Sequence, residues 1–458
     1  MLEDLFNPGS VAIVGASSNQ MKIGYAVLKN LVESGYRGKI YPVNPRSGDI
    51  LGIPAKGSLD QIGEQIDLVV VSLPAASVIQ EIEACVKLQV PYVVIIPGGF
   101  SETGSEGREL EKRIGKIISG TRTRVIGPNT VGVYFPHSRV NMALTPPDRV
   151  SFPPAGEIAF ISQSGALGLL TMDSISEYGI GISAFINLGN RLDLEETELL
   201  QYLSTDDRTR SIAVYVESLR DGREFYRTLK EVNAIKPVVV LKSGRSSASA
   251  KAASLHTGAM ASDDRIVNGM LRQAGAIRAY NEIELLDYAR TLAHGMPFTG
   301  TGVAILTTAG GVGVITADYV SSEARGIGMR LAKLSETTKD RIRKEIVSFG
   351  SVENPIDLTA DGSVASYDSV LGILSEDEAV DAIITYALPQ TPKMDTGIVD
   401  IISKHSRTKP IVVGVIGSKL GKKLLIEFEK MKIPAFPSIE RTVKAVKVLH
   451  DYGCYRRR

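Results

Sequence analysis

The side chain in this sequence best suited to carrying a transferred group is a histidine, His256, within Ser254-Leu255-His256-Thr257-Gly258-Ala259-Met260-Ala261. A run of small residues leads into it, Ser243-Gly244-Arg245-Ser246-Ser247-Ala248-Ser249-Ala250-Lys251-Ala252-Ala253. Such a run has little bulk to pack and reads as a mobile or ligand-cradling segment. An imidazole carried there can be a nucleophile loaded in one place and unloaded in another. By itself the same histidine also fits a loop or helix N-terminus where it satisfies a local hydrogen bond. A second candidate, Glu217, ends the strand-like run Ser211–Val216. A carboxylate there could accept from one ring nitrogen, fix the tautomer and leave the other nitrogen to attack. It would also raise the imidazole pKa from about 6.5, and a modest rise is tolerable because only the neutral ring attacks. On residue type alone, Glu217 is equally a solvated strand end.

Two glycine-bearing turns could receive an anion. Ser162-Gln163-Ser164-Gly165-Ala166-Leu167-Gly168 joins a strand to a helix, whose first turn offers unpaired N–H groups and about half a positive charge. One such contact contributes about 0.3–1 kcal/mol at an exposed site and up to about 2 kcal/mol when partly buried, so several donors must converge on a phosphoryl group. Ser162, Gln163, Ser164 and Gly165 form such a set, although Ser162 or Ser164 singly could be a plain cap. Thr307-Thr308-Ala309-Gly310-Gly311-Val312-Gly313 is the second turn, where Gly310, Gly311, Val312 and Gly313 would let main-chain N–H groups approach an anion. Asn354-Pro355-Ile356-Asp357-Leu358-Thr359 would add polar groups near the same sheet edge.

The elements that must position these residues repeat. Short β-branched runs alternate with amphipathic stretches, the pattern of parallel α/β domains. Strands opening into small residues start at Val11, Ile158 and Val303, spaced by 147 (158 minus 11) and 145 (303 minus 158). With 458 residues, this predicts three α/β domains, over 1–148, 149–297 and 298–458. Pro146-Pro147 with Pro153-Pro154, and Gly295-Met296-Pro297, punctuate the junctions. Lys plus Arg number 52 and Asp plus Glu 51, so bulk charge argues against nucleic-acid and anionic-membrane partners. No apolar run approaches a membrane span, and Met1-Leu2-Glu3-Asp4 lacks a signal core. Cys85 and Cys454 form no metal or disulfide pattern, so no metal site is expected and the chain reads as cytoplasmic.

In the first domain, strands are expected at Val11–Val14, Lys39–Val43, Asp67–Ser72, Tyr92–Ile96 and Arg124–Ile126, each ending in turn residues that would line a groove. The dinucleotide fingerprint is missing: Gly15 is followed by a longer loop carrying Lys22, and Asn44-Pro45-Arg46 stands where an acidic residue would hold a ribose. The loop suits a phosphate chain met by N–H groups and one point charge, while Arg46 leaves NADP open.

Val-Gly-Ala-Ser-Ser with Lys-Ile-Gly (14–24), Tyr-Pro-Val-Asn-Pro (41–45), Ser-Leu-Pro (72–74), Pro-Gly-Gly-Phe-Ser-Glu (97–102) and Gly-Pro-Asn (127–129) together resemble the CoA-binding domain of the NDP-forming acyl-CoA synthetases. Ser-Gln-Ser-Gly (162–165), Asn-Leu-Gly-Asn (187–190), Val-Glu-Ser (216–218) and His-Thr-Gly-Ala (256–259) resemble, in order, that family's ligase-CoA domain. The third domain resembles the one closing the β subunit of succinyl-CoA synthetase. The resemblance implies a Rossmann-like domain followed by two flavodoxin-like ones. It implies CoA or acetyl-CoA at Gly15, Ser17, Ser18, Lys22, Val43, Asn44, Pro45, Ser72, Pro74, Pro97, Gly98, Gly99 and Asn129. It further implies a phosphorylated His256 steadied by Glu217, and phosphate at both glycine turns and Gly258.

No ATP-grasp stretch, P-loop or acetyltransferase-like domain is found. The resemblance therefore implies an α subunit of an ADP-forming acetyl-CoA synthetase, working with an ATP-grasp β subunit as α2β2, Mg²⁺ travelling with ADP or ATP on that partner. Acyl-CoA, ADP and phosphate would become acid, CoA and ATP. Two other readings are an NADP-dependent reductase using Arg46, and a non-catalytic CoA-sensing protein in which His256 is structural.

Overall fold

The computed structural model describes residues 2–46, 48–246, 249, 263–321, 327–417 and 419–457. Two compact units are present: Met1–Glu177 with Gly181–Glu282, and Tyr178–Ile180 with Ile283–Arg458. The first unit holds two main sheets and the second holds one.

The first sheet contains β1 (Ser10–Val14), β2 (Lys39–Val43), β3 (Leu68–Val71), β4 (Tyr92–Ile95) and β5 (Arg124–Ile126), all parallel, in the order β2-β1-β3-β4-β5. Every residue of β1, β3 and β4 is buried, as expected where helices cover both faces of a parallel sheet. Helix α1 (Ile23–Glu33) follows β1.

The second sheet contains β6 (Val133–Phe135), β7 (Val140–Asn141), β8 (Ala155–Ser162), β9 (Ile182–Asn187), β10 (Ser211–Val216), β11 (Val238–Lys242) and β12 (Ile277–Ala279), ordered β12-β11-β10-β8-β9-β6-β7. β6 runs antiparallel to β9, and β7 antiparallel to β6, so residues 133–141 belong to this sheet although they precede the proline-marked junction. Helix α2 (Gly165–Ser176) follows β8.

After Tyr178–Ile180 the second unit resumes at Ile283, within helix α3 (Glu282–His294). Its Asp287 takes a two-pronged ion pair from Arg441 (2.7 and 2.8 Å) and its Glu284 accepts from Lys444 at 2.9 Å. β13 (Gly302–Thr307), β14 (Arg330–Leu331), β15 (Ile356–Asp357), β16 (Ala382–Tyr386), β17 (Ile411–Gly414) and β18 (Ala435–Phe436) form its sheet, ordered β14-β13-β16-β17-β18 with β15 also on β13. Helix α4 (Gly310–Ser321) follows β13 and α5 (Ile439–Arg456), which carries Arg441 and Lys444, closes the chain.

One topological feature recurs. In each sheet the strand that opens the module (β1, β8, β13) is flanked on both sides by later strands, so the connections reverse direction beside it. Ligand crevices of open α/β sheets lie at that reversal, beyond the carboxyl ends.

Candidate functional site

At the edge of the first sheet, β1 and β3 deliver Gly15 and Ser72 side by side. Gly15 has φ +85°, and a methyl there would lie 2.8 Å from Ser72 Oγ. A methyl at Gly24 would lie 2.0 Å from the Gly15 carbonyl oxygen, so only glycine lets α1 start this close to β1. Gly24 thus does the packing work of the last glycine in a dinucleotide fingerprint, displaced along a longer loop. Within that loop Ser17 Oγ accepts from Asn19 N–H at 3.1 Å, and Ser18 and Lys22 are exposed. Asn44, at the end of β2 beyond buried Val43, donates to the Ala16 carbonyl at 2.7 Å and accepts from Arg46 N–H at 2.9 Å. That carboxamide ties the second loop to the first, and Pro45 and Arg46 project outward beside it.

Ser72 Oγ donates to the Val14 carbonyl at 3.0 Å, and Pro74 precedes helix Ala75–Lys87. Beyond β4, Pro97, Gly98 and Gly99 form a turn in which Glu102 Oε1 accepts from Gly99 N–H (2.6 Å) and Phe100 N–H (3.1 Å). Burial works against the charge on Glu102. Hydrogen bonds from Asn190, Phe100 and Gly99 outweigh it and hold the carboxyl below its ordinary range. Asn129 donates to Asn190 Oδ1 at 3.2 Å, and Asn190 donates to Glu102 at 2.6 Å. The loop Asn187–Arg191 therefore joins the carboxyl ends of the first two sheets.

At the second sheet, Ser162 at the end of β8 pairs in register with Tyr215 on β10, which brings Glu217 beside the Ser162–Gly165 turn. Ser162 Oγ donates to the Ser164 carbonyl at 2.7 Å and Asn187 donates to the Ser162 carbonyl at 2.9 Å. Ser164 caps α2, accepting from Leu167 N–H at 3.4 Å. The N–H groups of Gly165 and Ala166 have no acceptor among the described residues, so the first turn of α2 presents donors to an incoming anion. A methyl at Gly165 would lie 2.4 Å from Val131 Cγ1, which requires glycine there.

Gln163 occupies a different place from its neighbours. Its N–H reaches the Tyr215 carbonyl (3.2 Å) and its side chain is bonded to Glu217 N–H (2.7 Å), Ser218 N–H (3.2 Å), the Ser218 carbonyl (3.0 Å) and Glu196. It braces the turn from behind. Glu217 Oε1 accepts from Tyr215 Oη at 3.3 Å. Burial, opposed by a hydrogen bond with Ser243 and reinforced by the Glu217 charge, pushes the Tyr215 hydroxyl up to about 12. His256 and Gly258 lie outside the described residues.

At the third sheet, Ala309 N–H is held by Thr307 Oγ1 at 3.0 Å, and the N–H groups of Val312 and Gly313 turn back to the Ala309 carbonyl (3.0 and 3.2 Å). A methyl on Gly310 would lie 2.9 Å from Asp357 Oδ2, whereas one on Gly311 meets nothing within 4 Å. Asn354 is spent on the sheet itself, bonding Ile305 N–H and the Val303 and Ala332 carbonyls. Among the described residues no group of three or more His, Cys, Asp and Glu side chains could hold a metal ion. None of the described helices is long and apolar enough to cross a membrane.

The sequence motifs did not single out Arg191, Glu196 or Glu102, all bonded into these edges. Only the Glu102 position carried a signal, as the last residue of Pro-Gly-Gly-Phe-Ser-Glu.

Residues 9–136 match the CoA binding domain family, 155–292 the succinyl-CoA ligase like flavodoxin domain, and 303–456 the ligase-CoA domain. The chain is 36% identical to the α subunit of acetate–CoA ligase [ADP-forming] I of Pyrococcus furiosus, over 99% of this chain and 98% of that one. The chain belongs to the ADP-forming acetate–CoA ligase α-subunit family. Another member, acetate–CoA ligase [ADP-forming] I of Archaeoglobus fulgidus, is 35% identical, the match covering 99% of this chain and 64% of the longer relative. A solved structure from Ca. Korarchaeum cryptofilum, described as a dinucleotide forming acetyl-coenzyme A synthetase 1 in complex with phosphate and ADP, superposes with a TM-score of 0.91. It is 32% identical, covering 100% of this chain and 98% of that one. Family membership makes this chain a ligase α subunit, and it favours neither the reductase nor the CoA-sensor reading.

Proposed function

We propose that this α subunit converts acyl-CoA, with acetyl-CoA as the reference substrate, and phosphate into the free acid and CoA, passing the phosphoryl group through His256 to ADP. The observation that carries the reading is the pairing at the second sheet of an N–H-presenting helix start, Gly165–Ala166, with the Glu217 carboxylate one strand away. CoA would lie across the first sheet's edge. Its phosphates would be near Ser17, Ser18 and Lys22, and its thiol end near Pro97–Gly99 and Asn129. Val43, Asn44, Pro45, Ser72, Pro74 and Gly15 would shape the floor.

A phosphate oxygen attacks the thioester carbonyl carbon, the C–S bond breaks, and CoA leaves as thiolate to be protonated. A ring nitrogen of His256 then attacks phosphorus in the acyl phosphate, the P–O bond to the acyl group breaks, and the carboxylate departs. Glu217 accepts a hydrogen bond from the other ring nitrogen, holding the tautomer. Phosphoryl transfer asks chiefly for positioning and for donors aimed at the equatorial oxygens. Ser164, Gly165 and Gly258 serve that purpose at one turn, with Ser162 and Gln163 shaping it, and Gly310 and Gly311 serve it at the other, where Val312 and Gly313, their N–H groups bonded to the Ala309 carbonyl, shape the helix start instead of donating.

Relatives named as α subunits imply a partner subunit. We assign that partner the ATP-grasp fold, the nucleotide with its Mg²⁺, and an α2β2 assembly. Domains over 1–148, 149–297 and 298–458 and a cytoplasmic setting complete the proposal. The test is ATP formation from acetyl-CoA, ADP and phosphate. Co-expressed partner and wild-type chain should form ATP, and the partner with His256→Ala should not. ATP formation by the His256→Ala complex at the wild-type rate would refute the route through His256.

A further inference from the structure

We infer that Arg191 is the positioning residue that holds Glu217 in register with the Ser162–Gly165 turn. The inference rests on the reading above, in which Glu217 steadies His256. What orients the main chain at Glu217 is the carboxamide of Gln163, whose Oε1 accepts from Glu217 N–H at 2.7 Å and Ser218 N–H at 3.2 Å. That carboxamide can face only one way, because a flip would set its own N–H₂ against two donors. Its Nε2 accordingly donates to the Ser218 carbonyl at 3.0 Å and to the Glu196 carboxylate.

Arg191 closes this ring of contacts. Its Nη1 donates to Glu196 Oε1 at 3.3 Å and to the Ser218 carbonyl at 3.1 Å, and its Nη2 donates to Ser218 Oγ at 2.6 Å. Arg191, Gln163, Glu196 and Ser218 are 8%, 9%, 3% and 4% exposed, so the network lies out of water. A buried carboxylate without its cation is strongly unfavourable, so Glu196 depends on Arg191 to remain where it can fix Gln163. The planar guanidinium is needed because it reaches Glu196 and both oxygens of Ser218 from one rigid fork. Arg191 also sits at φ +57°, a left-handed conformation uncommon for a side chain of its size. The strained residue follows Asn190, which reaches Asn129 and Glu102 at the first sheet's edge. One short loop thus anchors both the expected thioester end and the carboxylate expected to meet the imidazole.

The experiment uses the full-length chain and radiolabelled acetyl phosphate, and follows acid-labile, alkali-stable labelling. Arg191→Lys keeps the charge but cannot span Glu196 and Ser218 Oγ together. Its initial labelling rate should fall at least about tenfold, since an ångström of misplacement at a reacting group costs about 10²-fold. Melting temperature and CoA affinity should stay close to wild type. Combining Arg191→Lys with Glu217→Gln should cost no more than Glu217→Gln alone, because residues acting as one unit are non-additive. Ser218→Ala deletes only the 2.6 Å bond and should show a smaller loss in the same direction, which serves if Arg191→Lys does not fold. Wild-type labelling by Arg191→Lys or by Ser218→Ala, or losses that multiply in the double variant, overturns the inference. Wild-type labelling by Glu217→Gln instead overturns the role given to Glu217 itself, and this inference with it.

Discussion

Gly165 gives the sharpest perturbation. An alanine methyl at this position would stand 2.4 Å from Val131 Cγ1 and 3.4 Å from Asn187 Oδ1. Carbon atoms pack at about 3.5–4.0 Å, so the start of α2 must retreat by about 1 Å or more. The N–H groups proposed to hold the phosphoryl oxygens retreat with it. A 1 Å error at the reacting group costs about 10²-fold, which is about 2.7 kcal/mol on the barrier. Relieving the clash costs about 1–3 kcal/mol, as overpacking does, which is less than the stability of a typical domain, so global unfolding is not the expected outcome. The assay is the rate of labelling by acetyl phosphate, run beside a CoA titration on the same protein. Gly165→Ala should label about a hundredfold more slowly and bind CoA as the wild type does. Removing the obstructing methyl in Gly165→Ala with Val131→Ala should restore most of the rate. Normal labelling by Gly165→Ala, or a double variant no better than the single, would refute the claim that this helix start receives the phosphoryl group.

Other consequences are more local. Asn44→Ala removes the 2.7 Å bond to the Ala16 carbonyl that ties together two loops proposed to face CoA; a net hydrogen bond of about 1 kcal/mol predicts about fivefold weaker CoA binding by calorimetry. Glu102 has a depressed pKa in the fold, so its contribution to stability is present above the unfolded value of about 4.3 and is lost as pH falls through the lower folded value. Melting temperatures of wild type and Glu102→Gln should therefore differ at pH 6 and draw together as pH falls below the ordinary carboxylate value of about 4.3; a gap that does not narrow on acidification would count against the carboxylate's role in the Gly99–Phe100 turn.

Much of the fold was legible because parallel strands buried on both faces leave continuous apolar runs. Ser211–Val216 and Lys39–Val43 were read with the bounds they have in the structure, and the three module openings were read from Val11, Ile158 and Val303 where the strands begin at Ser10, Ala155 and Gly302. Strands β6 and β7 were not legible. They are three and two residues long and owe their place to antiparallel pairing at the far edge of the second sheet, which leaves no local period. The helix Glu282–His294 is attached to the second unit through Arg441 and Lys444, more than 150 residues downstream, and no local period reports that attachment. The edge residues divide in the same way. Glycines that stand where a methyl would collide, such as Gly24 and Gly165, announce themselves by type. Gln163 was visible as part of a motif, yet its work behind the turn, with Arg191 and Glu196, is set by side-chain bonds spanning 27 to 55 positions as well as five. Such bonds have no spacing rule to read.

Where the phosphoryl group is found on the chain decides the role of His256. The full-length chain, incubated with radiolabelled acetyl phosphate and digested under alkaline conditions, should carry acid-labile label on the single peptide containing His256 and none in His256→Ala. Label mapped to any other residue, or undiminished in that variant, would contradict the account.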